Sequence, residues 1–174
     1  MKRIKKLRKD NHSDSISIKG FLRVTMDKGG EIVGDSGWIQ NLCTNVGLEK
    51  FAAYTLGASA GSLQLGFAAL GSGGAPATND TALTGEVMGD SKRVSFSAKS
   101  FSSRTTSTGK CTLFLYGQFA STDSFLSDSN SYDINNIGLF NSISGGTLFC
   151  GTTYSSSNLD TNQNVNFTYQ LQIG

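Results

Sequence analysis

The last segment of the chain has the clearest pattern of apolar and polar positions. Val165, Phe167, Tyr169, Leu171 and Ile173 alternate without interruption with polar residues. An alternation with a period of two is typical of a β-strand that has one face against a core. The segment therefore predicts a strand whose apolar side faces a core or a partner.

The same alternation opens the predicted folded part of the chain at residue 16. Five apolar residues of one parity predict a half-buried strand there: Ile16, Ile18, Leu22, Val24 and Met26. The run Asp27-Lys28-Gly29-Gly30 supplies turn residues, and residues 31–33 resume an extended pattern, so we expect a hairpin. After a second polar break, Trp38 and Ile39 are expected to re-enter the core, with the indole as a packing anchor.

One segment has helical periodicity instead. Leu48, Phe51, Ala52 and Leu56 recur at helical spacing, and Gly57 follows where a C-terminal cap belongs. A polar residue able to cap the start precedes them, either Thr44 or Asn45. The pattern predicts one short helix over about residues 45–56.

The remaining apolar segments predict further strands. They are residues 65–70, 93–101, 111–120, 134–140 and 147–154. Residues 111–120 are apolar on both parities, which predicts a central strand covered on both faces. A glycine-rich loop is expected at residues 71–76, and residues 80–87 are expected to form one helical turn.

Short strands, polar turns and a single helix predict an all-β fold. We expect an antiparallel β-sandwich of jelly-roll or Greek-key type. With 174 residues and 37% hydrophobic content, residues 16–174 are long enough to form one such domain around one core. Only 16% of the residues are charged, so the surface is largely neutral and polar, which suits contact between copies of the chain.

Positive charge is concentrated before residue 10. Six of the 15 basic residues are there, which leaves nine against 13 acidic residues in the remainder. Residues 1–15 are therefore predicted to form a flexible basic arm that binds nucleic acid or an acidic surface through charge. A solvated tail that only aids solubility is the simpler alternative. The predicted anchor residues are Lys2, Arg3, Lys5, Lys6, Arg8 and Lys9.

A second and sparser basic group consists of Lys92, Arg93, Lys99 and Arg104. Strand alternation puts Arg93 and Lys99 on one face, which would extend the contact of the arm if that face lined a particle interior. An ordinary exposed strand face is the alternative. No aromatic residues are interleaved in a stacking pattern, so sequence-specific binding of single strands is not supported.

The residues for catalysis or metal binding are sparse. His12, the sole histidine, lies in the predicted arm, which argues against a histidine-dependent hydrolase and leaves a pair of carboxylates as the enzymatic alternative. Cys43, Cys111 and Cys150 have no Cys-x-x-Cys spacing and are expected to be small buried apolar residues. We predict no catalytic residues, no metal, no cofactor and, since no apolar run approaches about twenty residues, no membrane association.

Several short segments together resemble structural proteins of tailed-bacteriophage virions. One of them, residues 35–48, contains the pattern N-x-x-T-N-x-G-L at a predicted helix start. The segments are residues 18–25 (IKGFLRVT), 35–48 (DSGWIQNLCTNVGL), 69–73 (ALGSG), 75–83 (APATNDTAL) with Glu86, 137–140 (IGLF) and 146–149 (GTLF).

The resemblance implies a non-enzymatic component of a virus particle: a head decoration protein, a minor capsid protein, or a fibre or tail-associated subunit. Such a protein would be made in the host cytoplasm and located in the virion. Its implied partners are copies of itself, with a trimer favoured, and other virion proteins. The basic cluster is not part of the family pattern, and it favours a capsid-associated role in which the arm is an electrostatic anchor.

Two alternatives remain open from the sequence. One is a receptor- or carbohydrate-binding fibre or tail module that uses exposed aromatic residues, namely Trp38, Tyr116, Tyr132 or Tyr154. The other is a jelly-roll coat protein that binds its own genome through the arm, which explains the phage-like segments less well.

Overall fold

A computed structural model describes residues 16–55, 65–87, 93–102, 109–122, 132–160 and 162–174. The helix α1 spans Asn45–Thr55. The strands are β1 (Ile18–Lys28), β2 (Glu31–Asp35), β3 (Ile39–Cys43), β4 (Phe67–Gly71), β5 (Val94–Ser95), β6 (Ala98–Ser102), β7 (Cys111–Phe119), β8 (Tyr132–Phe140), β9 (Leu148–Leu159) and β10 (Asn164–Ile173).

The strands form one curled antiparallel sheet in the order β5-β4-β8-β9-β3-β1-β10-β7-β6, and β2 pairs with β1 beside this path. The strand β3 divides it, because its first residues pair with β1 and its last residues pair with β9. We call the half formed by β1, β10, β7 and β6 sheet A, and the half formed by β9, β8, β4 and β5 sheet B. The predicted antiparallel β-sandwich with one short helix is confirmed.

The two sheets are also joined on the side opposite β3. Only Phe96 and Ser97 separate β5, which pairs with β4, from β6, which pairs with β7. The Phe96 N–H donates to the Gly66 carbonyl (3.0 Å), and the Ser97 N–H donates to the Tyr116 carbonyl (2.8 Å). One continuous segment therefore passes from sheet B to sheet A and connects the two end strands of the curled sheet.

The main core lies between the sheets and follows the alternation seen in the sequence. In β10, Val165, Phe167, Tyr169 and Leu171 are buried and the intervening polar residues are partly exposed. The hairpin after β1 also forms as predicted. Gly29 (φ 62°) and Gly30 (φ 89°) occupy its turn, in a backbone region that residues with a side chain rarely adopt.

The start of α1 is capped by Thr44, one of the two predicted residues. Its Oγ1 accepts the N–H of Gly47 (3.0 Å) and donates to the carbonyl of Leu148 (2.6 Å). The same side chain therefore caps the helix and attaches it to β9. The predicted end at Gly57 lies outside the described residues. No helix in the described ranges is both long and apolar enough to cross a bilayer.

Four local predictions are wrong. The single strand predicted over residues 93–101 is divided into β5 and β6, which pair in different sheets. Trp38 is 47% exposed, because it follows the turn at Gly37 (φ 65°) and the next residue, Ile39, is the one that packs on the core. Residues 80–87 form turns and a bridge between Glu86 and Gly71, with no helical turn. The strand β7 is not covered on both faces, since Tyr116 is exposed.

Candidate functional site

The predicted basic residues do not form one exposed site. Arg93 is 5% exposed, so its predicted place on an exposed basic face is wrong. Lys99 is exposed on β6, at the rim of an apolar cavity of about 230 Å³ that extends toward Leu115 and Phe51. The six predicted anchor residues and the other two residues of the second basic group lie outside the described residues: Lys2, Arg3, Lys5, Lys6, Arg8, Lys9, and Lys92 and Arg104.

Arg93 can be buried because its guanidinium forms hydrogen bonds and stacks on an aromatic ring. Its Nε and Nη2 donate to the two carboxylate oxygens of Glu86 (2.9 and 3.0 Å). Its guanidinium lies 3.5 Å from the ring centroid of Phe140, and Nη1 donates to the carbonyls of Ser142 and Gly145. The guanidinium group is planar and carries several N–H donors, so it can bind both oxygens of a carboxylate and stack on an aromatic ring at the same time. The role of Arg93 is therefore structural.

The ion pair fastens a long loop to the outer face of sheet B. We call residues 72–87 the covering loop. Leu83 of this loop packs with Phe140 and Leu148 in a second buried cluster. The buried side-chain amide of Asn136 donates to the carbonyls of Gly74 (3.2 Å) and Thr84 (3.0 Å), so the loop backbone is hydrogen-bonded to β8.

Glycines allow the covering loop to approach sheet B closely. A Cβ atom at Gly151 would lie 2.9 Å from Cγ of Pro76, and a Cβ atom at Gly138 would lie 3.2 Å from Cδ1 of Leu83. The first distance is shorter than real contacts allow, and the second is tighter than most of them. Most of the segments that carry the phage resemblance, from residue 44 onward, lie in this layer, where they pack sheet B against the covering loop and α1.

The outer face of sheet A is different, because no described element packs across it. Its outward residues are polar or aromatic, and its aromatic residues belong to neither buried cluster. We call this surface the open face and define it by Phe21 and Arg23 of β1, Thr168 and Gln170 of β10, and Phe114 and Tyr116 of β7.

The register arranges the open face in two rows across three strands. Gln170 lies between Phe21 and Phe114 in one row, and Thr168 lies between Arg23 and Tyr116 in the other. The rings of Phe114 and Tyr116 are nearly parallel, with an interplanar angle of 17° and centroids 6.3 Å apart. The face therefore presents an aromatic pair beside amide and hydroxyl groups.

Two of the three charged groups on this face of β1 are already paired, whereas Lys19 is exposed and forms no ion pair with a described residue. The Arg23 guanidinium forms two hydrogen bonds with the Asp35 carboxylate, one of them 3.0 Å from Nε to Oδ1. This contact, helped by the Gly37 N–H, lowers the pKa of Asp35 to about 2. Hydrogen bonds from Asn164 (2.9 Å) and Asn166 (2.7 Å) likewise lower the pKa of Asp27 at the far end of β1. The open face carries little unpaired charge.

The aromatic residues proposed from sequence as binding platforms have different environments. Tyr116 is 36% exposed on the open face, and Trp38 is 47% exposed just before β3. Tyr154 is buried, and its hydroxyl has no hydrogen-bond partner among the described residues. The side chain of Tyr132 lies outside what the structure describes. Of the three aromatic side chains described here, Trp38 and Tyr116 are thus placed to contact a partner.

The sequence pattern predicted the outward residues of β10 but not those of β7. The alternation in β10 marked Thr168 and Gln170 as outward, but β7 gave no such signal because Phe114 and Leu115 are both apolar. In the described part of the chain, no three His, Cys, Asp or Glu side chains cluster as metal ligands. Comparisons with protein-family models, with curated proteins and with solved structures find no match. The phage resemblance therefore stays a prediction.

Proposed function

We propose that this protein is a non-enzymatic structural subunit of a virus particle, of the tailed-phage type, that associates with copies of itself through the open face. The observation that carries the proposal is a broad sheet face with aromatic residues and almost no unpaired charge. Interface cores are enriched in aromatic residues and depleted of charge in the same way. The resemblance of the sequence to virion proteins supports the particle role.

The size of the open face is adequate for association. The strands β1, β10 and β7, about 4.8 Å apart and paired over nine or ten residues, together with the shorter β2 and β6 beside them give about 600 Å² before side chains are counted, whereas a standard interface buries about 800 Å² per partner.

The geometry of association determines the oligomer. If the open face meets itself, the product is a dimer with two-fold symmetry, whereas a trimer needs a second surface on the next copy. The strand β2 offers one, because Ile32 is 63% and Val33 is 51% exposed. We favour the trimer, in which β2 of one copy packs on the open face of the next.

Sedimentation velocity over a concentration series tests the self-association. We expect a trimer for the unmodified chain and at least tenfold weaker association for Gln170→Glu, which places a charge between Phe21 and Phe114. Ile32→Glu should weaken the trimer equally, whereas a dimer would respond to Gln170→Glu alone. The control is Ser144→Glu, which adds the same charge in an exposed loop. A chain that remains monomeric, or a Gln170→Glu variant that associates normally, would contradict the proposal.

The basic arm is proposed as an electrostatic anchor for an acidic partner. Its six basic residues precede residue 10, while the remainder has more acidic than basic residues. Binding to phosphates through charge weakens as salt rises, with a slope of about −0.9 per neutralised phosphate in log–log form.

Fluorescence anisotropy with a DNA duplex and with polyglutamate tests the anchor. The full chain should bind one of these probes with a strong salt dependence, and deletion of residues 1–10 should remove that binding. Preference for DNA favours the genome as partner, and preference for polyglutamate favours a protein shell. Binding that survives the deletion and is independent of salt would refute the anchor.

A second candidate function is glycan binding by a fibre or tail module. The specific observation is the pair of nearly parallel rings of Phe114 and Tyr116 beside the amide of Gln170. Aromatic faces pack on sugar rings while amides bind their hydroxyl groups, as in ligand sites generally. A glycan array should then show selective binding that Tyr116→Ala abolishes, and no signal across the array would favour the shell role.

A further inference from the structure

Two of the three cysteines, far apart in sequence, are adjacent where the two sheets meet. Cys43 ends β3 and is the direct register partner of Cys150 in β9. Direct partners in an antiparallel pair place their side chains on the same face, so both thiols point toward the main core. The third cysteine, Cys111, lies at the start of β7, where its thiol donates to the carbonyl of Ile173.

The backbone pairing shows how close the two cysteines are. The Thr44 N–H donates to the Phe149 carbonyl (3.0 Å), which makes Thr44 and Phe149 a hydrogen-bonded pair. Hydrogen-bonded and non-hydrogen-bonded pairs alternate along antiparallel strands, so Cys43 and Cys150 form a non-hydrogen-bonded pair, whose Cα atoms are typically about 4.5 Å apart. That separation is within the range of about 4.4 to 6.8 Å that a disulfide requires.

We propose that Cys43 and Cys150 form a disulfide when the protein enters an oxidising environment, and that this bond links β3 to β9 at the junction of sheets A and B. The inference does not depend on the proposed function. It differs from the sequence-based expectation, in which the cysteines were only small buried residues.

The environment of the pair indicates which thiol reacts first. Cys43 is half-buried, and a hydrogen bond from Cys150 lowers its pKa, with burial opposing. Cys150 is fully buried, and burial raises its pKa; its sulfur also lies 3.3 Å from the Tyr169 hydroxyl oxygen. Thiolate is the nucleophile in disulfide exchange, so Cys43 is the attacking residue.

The reaction with glutathione disulfide as oxidant is balanced. The Cys43 thiolate attacks one sulfur of glutathione disulfide, forms a mixed disulfide and releases one glutathione thiolate. The Cys150 sulfur, after losing its proton, attacks Cys43 Sγ and displaces the second glutathione. The two protein thiols thus give up two protons and two electrons, and one glutathione disulfide becomes two glutathione thiols.

The test uses the full chain, purified with reductant and then incubated with glutathione disulfide. Free thiols are alkylated and the protein is digested and analysed by mass spectrometry. We expect an intramolecular bond between Cys43 and Cys150, a chain about 2 Da lighter than the reduced one, and a Tm higher by about 5 to 15 °C. Reduction should reverse both changes.

Cysteine variants complete the test. Cys111→Ser is the matched control and should oxidise as the unmodified chain does, whereas Cys43→Ser and Cys43→Ala should show neither the bond nor the Tm shift. If a variant folds poorly, the disulfide mapping of the unmodified chain still tests the inference. Two free thiols after incubation, a product that stops at one glutathione on Cys43, or a bond that includes Cys111 would each overturn the inference.

Discussion

The outer faces of the two sheets differ although both belong to one curled antiparallel sheet. Sheet B is covered by residues 72–87, with Leu83 buried against Phe140 and Leu148. Sheet A has no described element across it, and its rows of aromatic, amide and hydroxyl groups remain accessible. The strand β9 accordingly has apolar residues on both faces, whereas β10 alternates strictly between apolar and polar residues.

The two faces differ in the environment of their polar side chains, which are buried on the covered face and exposed to solvent on the open face. On the covered face, hydrogen bonds compensate the buried guanidinium of Arg93 and the buried NH2 group of Asn136 for their loss of water, whereas Oδ1 of Asn136 has no partner among the described residues. On the open face, Thr168 and Gln170 remain in contact with solvent. A buried polar group that loses its partner is costly, whereas an exposed one is not. Substitutions should therefore have very unequal effects on the two faces.

The largest effect on folding is expected for Arg93→Met. This change leaves the Glu86 carboxylate largely buried without its partner, and the cost of breaking a buried ion pair is about 3 to 5 kcal/mol in the free energy of unfolding. Urea denaturation measures this loss in the free energy of unfolding. Lys99→Met, on the exposed strand β6, is the control and should change little. Adding Glu86→Gln to Arg93→Met should recover part of the loss, and a cost below about 1 kcal/mol for Arg93→Met would contradict the role of the pair.

A smaller effect is expected when an apolar contact of the covered face is removed. Leu83→Ala should lower the free energy of unfolding by about 2 to 3 kcal/mol, because it leaves a cavity above Phe140 and Leu148. Gln170→Ala on the open face should change it by less than about 0.5 kcal/mol. Thermal and urea unfolding of both variants compare the two faces directly, and equal costs would show that the open face is not an uncovered surface.

The smallest effect concerns the ion pair beside the open face and appears as a pH dependence. Because the pKa of Asp35 is lowered to about 2, the native state favours its ionised form. The resulting stability is present above the pKa of the unfolded chain, near 4, and is lost as the pH falls toward 2. The Tm of the unmodified chain should exceed that of Asp35→Asn most clearly above about pH 4, and the two should converge near pH 2. A difference that grows on acidification would contradict this assignment.

Much of the fold could be predicted from local sequence. The period of two in β1 and β10, the glycine pair after Lys28 and the cap at Thr44 each depend on neighbouring residues, and the structure contains all three. The candidate site was predicted less well. The parity of β7 was ambiguous, since both Phe114 and Leu115 are apolar, and only their packing shows that Leu115 alone is buried.

The failures share one physical cause, which is that distant residues determine the environment of a side chain. Arg93 followed a pattern typical of an exposed strand, yet Glu86 and Phe140 surround it in the folded chain. Trp38 is large and apolar, yet the turn at Gly37 directs the following Ile39 inward in its place.

The sequence by itself determined most of the strands, the start of the helix and the place where charge is concentrated, because backbone preference and side-chain periodicity are local properties. Only the tertiary structure decided which sheet face is covered, and which is open. It alone brought Cys43 beside Cys150 and Arg93 beside Phe140. Those outcomes depend on strand register and on the path of residues 72–87, and contacts between distant segments set both.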